Sequence, residues 1–252
     1  MIRLEVCIDS VQSAIEAARG GASRVELCDS LLIGGTTPSA GCIALVRRSI
    51  DIDLHVLIRP RGGDFCYTES ELGVMSHDIR LAQELGADGV AFGILSPYGE
   101  VDKTAMRKLM DVARPLKVTF HRAFDVCRDP FQALEDLIDL GVDYLLTSGQ
   151  QPSVEQGAGL IAELVERAAG RITVMPGGGI SEQNIASLVR TTGARELHSS
   201  AREATRSGMR YQREGIDMGS ISEQPGVLYQ ASAERVRRLI RLASSALDTK
   251  SG

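Results

Sequence analysis

The chain has 252 residues, 43% hydrophobic and only 4% aromatic, with no Trp and a net charge of −5. That length suits one large domain, and so few aromatic side chains argue against a surface that stacks on bases or sugars. An acidic balance, whose densest basic run is RVRR at Arg235–Arg238, argues against nucleic acid or an anionic membrane as partner.

The chain opens on RLEVCIDS from Arg3, an alternating stretch that predicts a strand over 2–8 and a helix over 10–19. RVELCDS from Arg24 nearly repeats it, so Glu5 and Cys7 recur as Glu26 and Cys28 in a second strand at 24–28, before a helix at 39–49. A third strand at 54–59 runs through RPRGGDFCY into a helix at 69–85, and a fourth at 88–93 precedes a helix at 102–113. The fifth, 116–121, passes through HRAFD to a helix at 130–140, and the sixth, 143–147, through TSGQ to a helix at 153–169. The seventh, 171–175, leads through PGGGIS to a helix at 181–191 capped by Ser181. The eighth, 195–199, is separated from a last helix at 232–246 by an irregular loop over about 200–231, a candidate lid or oligomer contact. LGAD at 85–88 and LGVD at 140–143 stop their helices, the glycine taking the left-handed position past the end. Eight βα units in this length predict an α/β fold, a TIM (β/α)8 barrel forming a single domain over 1–252; an open doubly wound sheet is the alternative.

Strand parity then sorts the side chains. The face turned to the helices is the apolar one, so Leu4, Val6 and Ile8 point out while Glu5 and Cys7 point into the barrel. The same rule sends Glu26 and Cys28 inward, with His55, Leu57 and Arg59 from the third strand and Thr119 and His121 from the fifth. Leu145 and Thr147, Thr173 and Met175, and Glu196 and His198 complete the expected lining. An interior of Glu, Cys, His and Arg is costly unless its charges are paired. Pairing of Glu5 or Glu26 with Arg59 would supply a self-contained network without a ligand; otherwise the lining is a site, and its thiols, Arg59 and His121 fall at the strand ends where barrel active sites form.

Two chemistries suit such a lining. Cys7 and Cys28, on neighbouring strands, offer the soft ligands that Cu(I) prefers, with Met175, His121 and His198 as neighbours, whereas no compact Cys/His spacing of a zinc site is present. The other chemistry is an enzyme acting on a small phosphorylated or carboxylated metabolite. There Glu5 or Glu26 would be the base, His121 the acid, Arg59 and Arg61 a carboxylate clamp, and Gly177, Gly178 and Gly179 a phosphate cradle. A binding protein without catalysis is the third class. No motif calls for an organic cofactor. Five scattered cysteines without a CxxC, and a chain that enters a strand without a leader, predict reduced thiols in the cytoplasm; no apolar run is long enough to span a bilayer.

EVCIDS, RVELCDSLLIGGTTPS, RPRGGDFCY, GVAFGIL, TFHRAFD, LLTSGQ and PGGGI, in this order from Ile2 to about Ser200, resemble the copper homeostasis protein CutC family. TSGQ stands where the family often has TSGG, and LHSSA is less diagnostic. The resemblance implies a cytoplasmic TIM barrel, a homo-oligomer (a dimer being favoured), a role in copper homeostasis, and Cu(I) ligands at Cys7 and Cys28. It brings no settled reaction.

Overall fold

The computed structural model describes residues 1–211, 213 and 227–248. Strands and helices alternate along them: β1 (Arg3–Ile8), α1 (Val11–Arg19), β2 (Arg24–Leu27), α2 (Ala40–Ser49), β3 (Asp53–Leu57), α3 (Glu69–Glu84), β4 (Gly89–Phe92), α4 (Lys103–Ala113) and β5 (Lys117–Phe120). Then come α5 (Pro130–Asp139), β6 (Tyr144–Thr147), α6 (Ala158–Ala168), β7 (Thr173–Pro176), α7 (Ile185–Thr192) and β8 (Glu196–Ser199). β9 (Arg202–Arg206), β10 (Val227–Ala231) and α8 (Ala233–Asp248) end the series. The parallel sheet runs β7-β6-β5-β4-β3-β2-β1-β8, and a parallel bridge between Gly177 and His198 closes it into the expected TIM barrel. Among the described residues no helix is long and apolar enough to cross a membrane.

Local chemistry sets these boundaries. Thr68 and Glu71 form a reciprocal capping box at the start of α3, and Asp129 caps α5 with Pro130 in its first turn. Gly86 and Gly141 adopt φ of +85° and +73° after their helices. The aspartates two residues on then tie helix to sheet. Asp88 accepts the Leu54 N–H and an Arg47 N–H, both at 2.8 Å. Asp143 likewise accepts from Val118 N–H and Arg114 at 3.0 Å. These pins lie at the amino ends of the strands, the face of a barrel that serves stability.

Leu4, Val6, Ile8, Val25, Leu27, Leu54 and Val56 pack outward into one core with the helices, as parity requires. Strand β6 departs from expectation. Tyr144 lies under the Arg24 guanidinium at 4.3 Å and Leu146 lines the inner cavity, while Leu145 joins the outer core. The stretch YLL is apolar on both faces, so alternation carried no parity there, and a one-residue slip exchanges the two sides. Two further expectations are corrected. Ser181 is not the cap of α7: that helix starts at Ile185 after Asn184, whose side chain accepts the Ser181 N–H at 2.8 Å. The interval expected as loop holds β9 and β10, which pair antiparallel from Arg202↔Ala231 to Arg206↔Val227; its residues 212 and 214–226 lie outside the described ones.

Candidate functional site

Two layers of polar side chains stack inside the barrel. The lower one centres on Arg24, 1% exposed, which shares the parity of Glu26 and Cys28. Its guanidinium bonds Glu5, reaches Glu196 at 3.2 Å and Met175 Sδ at 3.3 Å, and lies over the Tyr144 ring. Arg24, and not Arg59, is therefore the cation that pairs with Glu5. Burial alone would raise the Glu5 carboxyl, but Arg24 and His198 hold it far below the usual carboxylate range. His55 sits beside this layer, where burial pulls its imidazole down to about 4. Room for the ring comes from β4, because a Cβ at Gly89 would run into it.

The upper layer faces a cavity of about 290 Å³ at the carboxyl ends of the strands. Register interleaves the repeated pairs. Glu5 aligns with Arg24 and Cys7 with Glu26, which leaves Cys28 one step higher, its Sγ 3.7 Å from Cys7 Sγ. His198 Nδ1 bonds Glu5 Oε1 at 2.7 Å, and its Nε2 lies 3.8 Å from Glu26 Oε2. Donor atoms of Cys7, Glu26 and His198 all fall within 4.8 Å of one another, a set able to hold a metal ion. The hydrogen bond from Cys28, helped by cationic His198 and opposed by burial, holds the Cys7 thiol down at about 5. The same contact and burial push Cys28 well above its ordinary value, so one thiolate is shared by the pair. Burial pushes Glu26 up to about 8, with His198 opposing.

Across the cavity stands His121, 5% exposed. Its Nδ1 accepts the Ala123 N–H at 3.2 Å, which fixes the neutral tautomer with the proton on Nε2. Burial, then Arg59, lowers this imidazole to about 3. Arg59 lines the cavity too, but its terminal nitrogens are spent on the carbonyls of Ile33, Gly35 and Gly63 at 2.7–3.0 Å, fastening the loops after β2 and β3.

Of the sequence-predicted site residues, Cys7, Cys28, Glu26, Arg59, His121, Gly178 and Gly179 meet at this cavity. Gly177 forms the closing bridge beside it, and Glu5 lies beneath, reaching the cavity through His198. Arg61 is not brought in: it bonds Glu71 at 2.5 Å and Asp64 at 3.1 Å in its own loop. Its place is taken by Arg122, held by Asp125 at 2.7 Å and Ser148 Oγ at 2.8 Å. Met175 is absorbed by Arg24 in the layer below.

A family model described as the CutC family matches residues 2–203. The copper homeostasis protein cutC homolog of Homo sapiens is 49% identical over 245 residues, covering 97% of this chain and 90% of that protein. A CutC family protein of Parabacteroides distasonis is 52% identical over 239 residues, covering 94% and 98%. The crystal structure of a CutC protein from Streptococcus agalactiae superposes with a TM-score of 0.76 at 35% identity, covering 79% of this chain and 99% of that one. Phosphoribosylanthranilate isomerase from Thermotoga maritima, at a TM-score of 0.58 and 14% identity, shares the fold alone.

Proposed function

The chain belongs to the CutC family, and from that premise we propose that it serves copper homeostasis by holding Cu(I) between Cys7 and Cys28 at the carboxyl end of the barrel. The observation that carries this is the Sγ–Sγ distance of 3.7 Å. Two sulfurs on one ion at roughly 2.3 Å each must lie within about 4.6 Å of one another, and thiolates are the soft donors that Cu(I) favours. His198 would join Cys7 once its Nε2 gives up its proton to the ion: its Nδ1 faces the Glu5 carboxylate, the arrangement that orients a ligating imidazole. Glu26 stands beside the ion as a neighbouring oxygen. Copper is cargo here and supplies no chemistry of its own.

The same proposal places the chain in the cytoplasm as a homo-oligomer, a dimer first; all five cysteines are free, which suits a reducing compartment. The test is anaerobic competition for Cu(I) with a calibrated chelator. Wild type is expected to bind about one ion tightly, and the Cys7→Ser/Cys28→Ser variant to lose at least roughly a hundredfold in affinity with its circular dichroism unchanged. Undiminished binding in the double variant would end the two-thiol reading.

A second reading, an enzyme acting on a small anionic metabolite, is favoured by His121, whose buried Nε2 finds no partner among the described residues. In it Glu26 fits the role of base better than Glu5, which is locked to Arg24 and His198.

A further inference from the structure

We propose that the mouth of the barrel carries a second site, a cradle for the phosphate of a small phosphorylated polyol, formed by the Gly178–Ile180 turn and Arg122, with His121 bonding the hydroxyl end. It gives the enzyme reading a ligand class and stands independently of copper.

Unpaired polar atoms mark the place. Glu26 Oε1 and His121 Nε2 are buried without a hydrogen-bond partner among the described residues, and both residues line this one cavity. Buried polar groups are nearly always paired, and leaving one unpaired is costly. Two facing a single space indicate that a polar ligand supplies their partners, and one copper ion held by two thiols does not account for His121. The His121 tautomer makes Nε2 a donor, suited to a hydroxyl or carbonyl oxygen.

The cradle lies beside it. Gly178 and Gly179 have φ of +105° and +88°. Carbonyls of the turn are held from behind: Gly178 accepts the Val154 N–H at 2.9 Å, Gly179 the Asn184 side-chain amide at 2.8 Å, and Ile180 the Ser199 hydroxyl at 3.4 Å. The N–H groups of Gly179 and Ile180 take no protein acceptor among the described residues, leaving donors for an anion as in other backbone nests. A Cβ at Gly178 would come within 3.4 Å of the Arg122 guanidinium, so the glycine keeps that cation open against the turn. Asp125 and Ser148 hold Nε and Nη2 of Arg122, which leaves Nη1 for a phosphate oxygen. The turn follows the seventh strand, where barrels commonly take phosphate, and about 290 Å³ admits a small metabolite only.

The test uses the full chain, metal-stripped under reducing conditions, and calorimetric titration with ribose 5-phosphate, glycerol 3-phosphate, inorganic phosphate, citrate and ribose. A phosphate ester is expected to bind more tightly than inorganic phosphate, and ribose not at all. Arg122→Gln should weaken both by roughly tenfold or more, while His121→Phe should weaken the ester and spare inorganic phosphate. Arg61→Ala, outside the cavity, should leave both unchanged. Copper failure is read separately, since Cu(I) binding is measured on its own by chelator competition and the ester titrations use metal-stripped wild type. No binding of any phosphate at millimolar concentration to folded wild type would overturn the proposal. So would preference for citrate, or binding indifferent to Arg122.

Discussion

Arg24 shows how one side chain makes an acidic lumen tenable. It neutralises Glu5 and Glu196 from below, and Glu5 in turn holds His198 against the thiols. Removing the cation strands a buried carboxylate, so Arg24→Met is expected to cost about 3–5 kcal/mol in urea unfolding. Glu5→Gln added to it should recover a large part, because the orphaned charge goes with it. A loss that the second substitution does not relieve would show that packing against Tyr144, and not charge, is what Arg24 provides. The residue was legible by parity: it lies two before Glu26, as Glu26 lies two before Cys28. What alternation does not encode is which of two arginines reaches a carboxylate across the barrel, since that depends on stagger between strands.

At the scale of elements, β4 contributes space. Gly89 and Ala91 share its inner side with Gly93 just past its end, and a Cβ on Gly93 would sit 2.8 Å from His121 Nδ1 and 3.0 Å from Ala123 Cβ. Gly93→Ala should therefore destabilise by about 1–3 kcal/mol, seen as a lowered Tm, and His121→Ala in the same chain should restore most of it. The alternating order of elements and the inner faces of β1, β2, β3 and β5 could be read from sequence because each pairs an apolar side with a polar one. Strand β6 could not, its residues being apolar on both. Arg61 and Arg122 also look alike in sequence, each in a loop with an Asp three residues on. Only the fold shows that the first is drawn off to the α3 cap by Glu71 while the second is turned to the cavity. The β9–β10 pair was hidden for another reason: β9, REATR, is polar and mostly exposed, and β10, VLYQA, leaves Leu228 and Tyr229 exposed, so neither strand alternates a core face with a solvent face.

For the whole molecule, the buried imidazoles couple stability to pH. His121 and His55 have folded pKa values near 3 and 4 against about 6.5 in an unfolded chain. Their contribution is therefore present above about 6.5 and is lost as the pH falls toward 4 and 3. Glu26, raised to about 8, works in the opposite sense, so the useful observable is a difference. The stability of wild type relative to His121→Gln should shrink between pH 7 and 4; a constant difference would mean that His121 titrates normally in the folded chain. The layer of Arg24, Glu5, Glu196, Met175 and Tyr144 has one more consequence. It plugs the barrel below the cavity, so among the described residues the cavity has its doorway at the carboxyl ends of the strands and no corridor beneath. Anything taken up there must go out through the opening by which it came, past Arg202 at the foot of the β9–β10 ribbon. If copper is the cargo, delivery and collection would then take turns at a single counter, a donor still docked there blocking the recipient.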